Sequence, residues 1–69
     1  MDTIKNIKIN EIKEGDTILY YASFIRRCKM LDDTYRDNLW LSNVYKTRSR
    51  AQKTLDKKLE QLKPYTTII

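Results

Sequence analysis

Apolar positions recur with a period of two through the first half of the chain and with a period of three to four near its end. Ile7 and Ile9 alternate with Lys8 and Asn10, which is strand spacing, and adding Ile4 and Ile12 does not turn the set into one helical stripe. A short first strand is expected there. Glu14-Gly15-Asp16 holds the only glycine, flanked by acids, and predicts a tight turn in which glycine supplies a positive φ. Thr17-Ile18-Leu19-Tyr20-Tyr21 is β-branched and aromatic and predicts a second strand, with Ala22-Ser23 bending or bulging it. Phe24 to Leu31 mixes polar and apolar residues on both parities; a third strand is expected, with Phe24, Cys28 and Met30 turned inward. Asp32-Asp33-Thr34-Tyr35-Arg36-Asp37-Asn38 has no apolar period and predicts a hairpin loop. Leu39-Trp40-Leu41 forms the expected fourth strand, Ser42-Asn43 interrupts it, and Val44-Tyr45 leads to a helix.

That helix has the clearest pattern. Ala51, Leu55, Leu59 and Leu62 stand at spacings of four, four and three, a narrow apolar stripe over about three turns. Thr47 or Ser49 can cap its start, Ser49 with Gln52 having the spacing of a capping box, and Pro64 fixes its stop, giving a helix from about Thr47 to Lys63. Strands first and one helix last imply an α+β domain. The expected form is a small curved antiparallel sheet of three to five strands, or an open SH3-like barrel, covered by one C-terminal helix, with residues 1–69 as a single domain.

Composition narrows the function classes. At 69 residues, with 41% apolar and 33% charged, the chain has the make-up of one folded domain. A domain this small buries only about 60% of its unfolded surface, which leaves little material for the walls of an enclosed active site. The chain has no His, one Cys and one Gly, so an imidazole base, an internal disulfide, a Cys/His zinc set and a glycine-rich phosphate loop are all excluded. Neither an enzyme nor a cofactor is expected. The longest unbroken apolar run, Ile18 to Ala22, falls far short of the roughly 18 to 20 residues that cross a bilayer. Met1-Asp2-Thr3-Ile4-Lys5 lacks the make-up of a secretory signal and Tyr65-Thr66-Thr67-Ile68-Ile69 carries no lipidation signal. With a single thiol, a cytoplasmic protein without a membrane partner is expected.

Charge is unevenly placed. Through Tyr45 there are seven Lys/Arg and seven Asp/Glu, whereas from Lys46 to Lys63 seven Lys/Arg face only Asp56 and Glu60, so the whole formal net charge of +5 lies in the last third. At 100° per residue Arg50, Lys53 and Lys57 fall within about a 60° arc opposite the leucine stripe. They form one ridge, with Lys46 and Arg48 at its start and Lys63 at its end. The plain reading is a solvated face; the functional one is a docking surface for an acidic partner. Arg27 and Lys29 form a second cluster on one outward strand face, where tyrosine or tryptophan rings of neighbouring strands could stack, although Tyr20, Tyr21, Trp40 and Tyr45 are expected mainly to close the core.

Other constellations fail on chemistry. Set against a calcium loop, the acids Asp32, Asp33 and Asp37 place Tyr35, Asn38 and Val44 where a ligand, a glycine and a bidentate Glu are needed, so no metal site is expected. Cys28 has no His to activate it and is expected to be a buried, inert thiol. Glu14 and Asp16 lie on a turn with no second carboxylate to complete an acid/base pair.

Two segments carry a family likeness. Lys13-Glu14-Gly15-Asp16-Thr17-Ile18 before a strand, and Val44-Tyr45-Lys46-Thr47-Arg48-Ser49-Arg50-Ala51 followed by Leu55, together resemble small phage and prophage proteins. In these a (K/E)GD-hydrophobic turn opens a β meander and a T-x-x-x-A-x-x-x-L segment opens the closing helix. The resemblance covers about Lys13 to Leu62 and implies an α+β fold and a mobile-element origin, with no catalytic residues. Where such proteins favour acids in the helix's first turn, this chain has Arg48 and Arg50, which oppose the helix dipole. The expected function is a non-catalytic inhibitor or adaptor that docks an acidic host-protein surface through Arg48, Arg50, Lys53 and Lys57, with Arg27 and Lys29 extending the footprint. The alternative is a nucleic-acid-binding module that neutralises phosphates with the same face. No small-molecule substrate is expected, and the oligomeric state is left open.

Overall fold

The computed structural model describes residues 2–68; Met1 and Ile69, the outermost residues of the two segments considered for targeting signals, lie outside the described residues. Strand β1 (Asp2–Glu14) and strand β2 (Thr17–Lys29) form a long antiparallel hairpin, β3 (Tyr35–Leu41) adds to β2, and helix α1 (Arg48–Leu62) lies against one face. A single 3-10 turn (Lys63–Tyr65) then leads into β4 (Thr66–Ile68), which pairs parallel with β1. The sheet order is β3-β2-β1-β4. This is the expected α+β fold, an open four-stranded sheet with one C-terminal helix, except that the sheet is mixed rather than purely antiparallel because β4 runs parallel to β1.

Gly15 makes the first turn as its neighbours predict. Glu14 pairs with Thr17 across a two-residue loop in which Gly15 has φ 61°, the positive value a type II′ hairpin needs at its first central position. Much of β1 beyond the expected Ile7–Ile9 is strand, and the reason is a bulge. Between the pairs Lys5–Ile25 and Lys8–Ser23, β1 spends Asn6 and Ile7 opposite the single residue Phe24. Asn6, at φ 55°, takes the left-handed conformation that asparagine tolerates better than most residues. The bulge shifts the parity of the strand, so that Ile4 before it and Ile7 and Ile9 after it all pack toward the core.

The expected second and third strands are one. Ala22 and Ser23 do not bend β2 but lie buried at its centre, with Ser23 Oγ accepting from Asn10 Nδ2 at 2.8 Å and Ala22 N–H donating to Ser42 Oγ at 2.8 Å. The loop before β3 is also shorter than its polar run predicts. Met30 N–H donates to Thr34 O at 2.7 Å, and Asp33 at φ 66° closes a three-residue connection. Tyr35 to Asn38 are therefore strand, held by pairing with Arg26 to Lys29. Of the three residues expected inward, Phe24 is buried, Cys28 is half-buried and Met30, next to the turn, is exposed. Met30 thus does not belong to the core, because β2 runs past the end of the helix that would cover it.

Thr47 caps α1, with φ −125° and its hydroxyl accepting from Arg50 N–H at 3.4 Å; Ser49 is already inside the helix. Thr54 Oγ1 donates to Tyr45 Oη at 2.9 Å, and Tyr45 itself bridges back to Tyr20, so the segment before the helix is tied to the sheet. After Pro64 the Thr66 hydroxyl donates to the Leu62 carbonyl at 2.7 Å, which ties the start of β4 to the helix end. The core comprises Ile4, Ala22, Phe24 and Leu55, with Ile7, Ile9, Trp40, Leu59 and Leu62 packed around it; Ala51 is buried as well. No helix among the described residues is long and apolar enough to cross a membrane.

Candidate interaction surfaces

Helix geometry sets the charged ridge. Arg50, Lys53 and Lys57 are exposed on the side of α1 away from buried Ala51 and Leu55, and none of their side chains makes an ion pair among the described residues. Asp56 beside them accepts from Gln52 Nε2 at 2.8 Å. Arg48 behaves differently: its guanidinium reaches Glu11 of β1 at 3.5 Å. Seven positions before Leu55 amounts to about 20° from the stripe's centre, so this side chain points toward the sheet rather than along the ridge.

Cations on the sheet are mostly neutralised where they stand. Arg27 and Lys29 share the face of β2 opposite the helix, as period two requires, but Arg27 bonds Asp37 at 2.9 Å and Lys29 pairs with Asp33 at 3.3 Å. Lys5 also reaches Asp37 at 3.8 Å, and Arg26 on the helix side holds Asp2 at 2.8 Å. The ring beside Arg27 belongs to Tyr35, 5.9 Å from its guanidinium to the ring centroid, a residue the sequence pattern assigned to a loop.

The acids of the β2–β3 turn, Asp32 and Asp33, and Asp37 of β3 hold separate partners. Asp32 Oδ1 accepts from the Thr34 hydroxyl at 2.6 Å and from its backbone N–H at 3.2 Å, while Asp33 and Asp37 serve Lys29 and Arg27. Hydrogen bonds from Thr34 hold the Asp32 carboxyl below its usual value, and the Arg27 hydrogen bond does the same for Asp37, with Arg27 raised in turn. Because the folded value of Asp37 is lowered, the pairing contributes stability above the ordinary carboxylate range and loses it as acid titrates through the lowered value. Asp37→Asn should therefore flatten the acid limb of a stability-against-pH curve and leave the slope near neutrality unchanged. Both partners are solvent-exposed, so the effect is small.

A groove of about 240 Å³ opens between α1 and the β2–β3 half of the sheet, lined by Phe24, Arg26, Cys28, Asn38, Trp40 and Lys58 among others. Phe24 and Trp40 stack in its floor, centroids 4.8 Å apart and planes 19° from parallel. The sequence pattern assigned Asn38 to a loop and did not single out Lys58. Lys58 lies three residues past Leu55, at the border of the apolar stripe, which was the available signal. Cys28 is in this groove rather than in the core, its Sγ 3.5 Å from Asp2 Oδ2 and 3.8 Å from Asn38 Nδ2. A small thiol reagent should accordingly label Cys28 in the folded protein, at a rate unaffected by low denaturant. Labelling that requires global unfolding would contradict this placement.

These surfaces define a small α+β domain with one charged helix face, one mostly open sheet face and a shallow groove between helix and β3. No protein family, curated protein or solved structure matches the chain.

Proposed function

We propose that the chain is a non-catalytic binding protein of phage or mobile-element type, which docks an acidic surface of a host protein through the ridge Arg50, Lys53 and Lys57. The observation that carries this reading is the contrast in pairing. Arg26, Arg27, Lys29 and Arg48 are each committed to a carboxylate of their own chain, whereas the three ridge cations have none; Arg36 and Lys58 are unpaired too, but the ridge sets three such cations together on one exposed helix face. Unpaired cations fixed on a rigid helix need no reorganisation to meet an acidic face, and they speed encounter with it. Arg48 steadies the base of the helix, and Arg27 and Lys29 enter the footprint only by exchanging an internal partner for an external one.

A protein surface suits the ridge better than a nucleic-acid backbone. Arg50 to Lys57 rise only about 10 Å along the helix, and exposed Asp56 and Glu60 flank them, which limits how many phosphates can be met at once. Joint replacement of Arg50, Lys53 and Lys57 by Gln should leave stability within about 0.5 kcal/mol per site, as expected of exposed positions. Capture from nuclease-treated host lysate should yield a discrete acidic protein with the parent chain and lose it with the triple variant. Capture abolished by nuclease would replace this reading with nucleic-acid binding.

A further inference from the structure

Strand β3 ends the sheet, and nothing among the described residues pairs with its outer side. Its backbone pattern follows from two hydrogen bonds. Ser42 N–H donates to Ala22 O at 2.9 Å and Met30 N–H to Thr34 O at 2.7 Å. Stepping by two between them, Trp40, Asn38 and Arg36 face their partners Phe24, Arg26 and Cys28 as hydrogen-bonded pairs. Tyr35, Asp37, Leu39 and Leu41 consequently turn their N–H and C=O groups outward. Three of these same residues carry exposed apolar side chains, Tyr35 at 63%, Leu39 at 66% and Leu41 at 55%, on the face away from the helix. The strand has no proline or bulge that would blunt its edge.

The other face of β3 has a different character. Arg36 and Asn38 lie on the helix side, Asn38 and Trp40 line the groove, and Lys58 closes it from α1. Neither Arg36 nor Lys58 has a carboxylate partner among the described residues, while Asp2, the nearby acid, is held by Arg26. One face of the edge is thus apolar at Tyr35, Leu39 and Leu41, with Asp37 between them held by Arg27 and Lys5, and the other is cationic.

We infer that the outer edge of β3 takes an extended peptide segment of alternating acidic and apolar residues as an additional strand. Its backbone completes the outward groups of Tyr35, Asp37, Leu39 and Leu41. Because side chains alternate across a strand, its apolar residues cover Tyr35, Leu39 and Leu41 while its acidic residues meet Arg36 and Lys58. A second copy of the chain fits less well, since it would bring its own Arg36 and Lys58 to the same seam with no free acid to offset them. This site is separate from the ridge on the far side of α1.

Trp40 is the chain's only tryptophan and reports directly on this strand. The probe is a blocked peptide of about seven residues alternating Glu and Val, titrated against the full chain while Trp40 emission is followed. Binding should saturate. N-methylation of the peptide amides that face β3, or Arg36→Glu with Lys58→Glu in the protein, should each weaken it about tenfold or more, because several hydrogen bonds or both charge contacts are lost. The ridge variant with Gln at positions 50, 53 and 57 should bind the peptide as the parent does, which separates this site from the proposed host-protein surface. A flat titration, equal affinity for the N-methylated peptide, or a β3-mediated dimer that the peptide cannot dissociate would overturn the inference.

Discussion

Phe24→Ala should cost a large share of the chain's stability, with an expected loss of about 3–5 kcal/mol. Phe24 is 1% exposed, the largest side chain in the core, and it stacks on Trp40 while facing the β1 bulge. At roughly 0.05–0.15 kcal/mol per residue, a chain of 69 residues has about 3–10 kcal/mol in total, so this one cavity removes a large share of it. Trp40 emission should shift toward that of an exposed indole at low denaturant. A variant with the parent's urea midpoint would show that the Phe24–Trp40 stack does not anchor the sheet.

Leu55→Ala carries the next largest effect, about 2–5 kcal/mol. Leu55 is 3% exposed and is the helix residue that enters the central cluster, whereas Leu59 and Leu62 are only half-buried at its margin. The three alanine variants should rank accordingly, Leu55 costing more than Leu59 or Leu62. Equal melting temperatures for the parent and the Leu55 variant would contradict the seating of α1 on β2. The ranking also bears on function, because the ridge faces outward only if Leu55 faces the sheet.

Local chemistry was enough to place the glycine turn and the helix. Gly15 is the only residue of its kind in the chain, and Ala51, Leu55, Leu59 and Leu62 repeat without interruption. The rest depended on long-range pairing. The bulge at Asn6 hides the common face of Ile4, Ile7 and Ile9 because one inserted residue inverts strand parity. Tyr35 to Asn38 look like a loop in isolation and become strand only once β2 supplies partners for them. Ala22 and Ser23 resemble a break because both are small, yet burial at the sheet's centre favours small residues there. β4 follows a proline and spans only Thr66–Ile68, too short for any period to show.

The surfaces divide in the same way. Exposure of Arg50, Lys53 and Lys57 follows from helical angle alone, and the same angle, applied to Arg48, turns it toward Glu11. Neutralisation of Arg27 by Asp37 required the β2–β3 register, which the misassigned loop concealed.

The association rate with the partner captured from nuclease-treated lysate, measured against salt for the parent chain and for the Arg50→Gln, Lys53→Gln, Lys57→Gln variant, tests the central claim most directly. For the parent the rate should fall steeply as ionic strength rises, since exposed charges are screened beyond about 8–10 Å at physiological salt. The variant should associate more slowly at low salt and show a much flatter dependence. Rates and salt dependences that coincide for the two proteins would show that the ridge is only a solvated face.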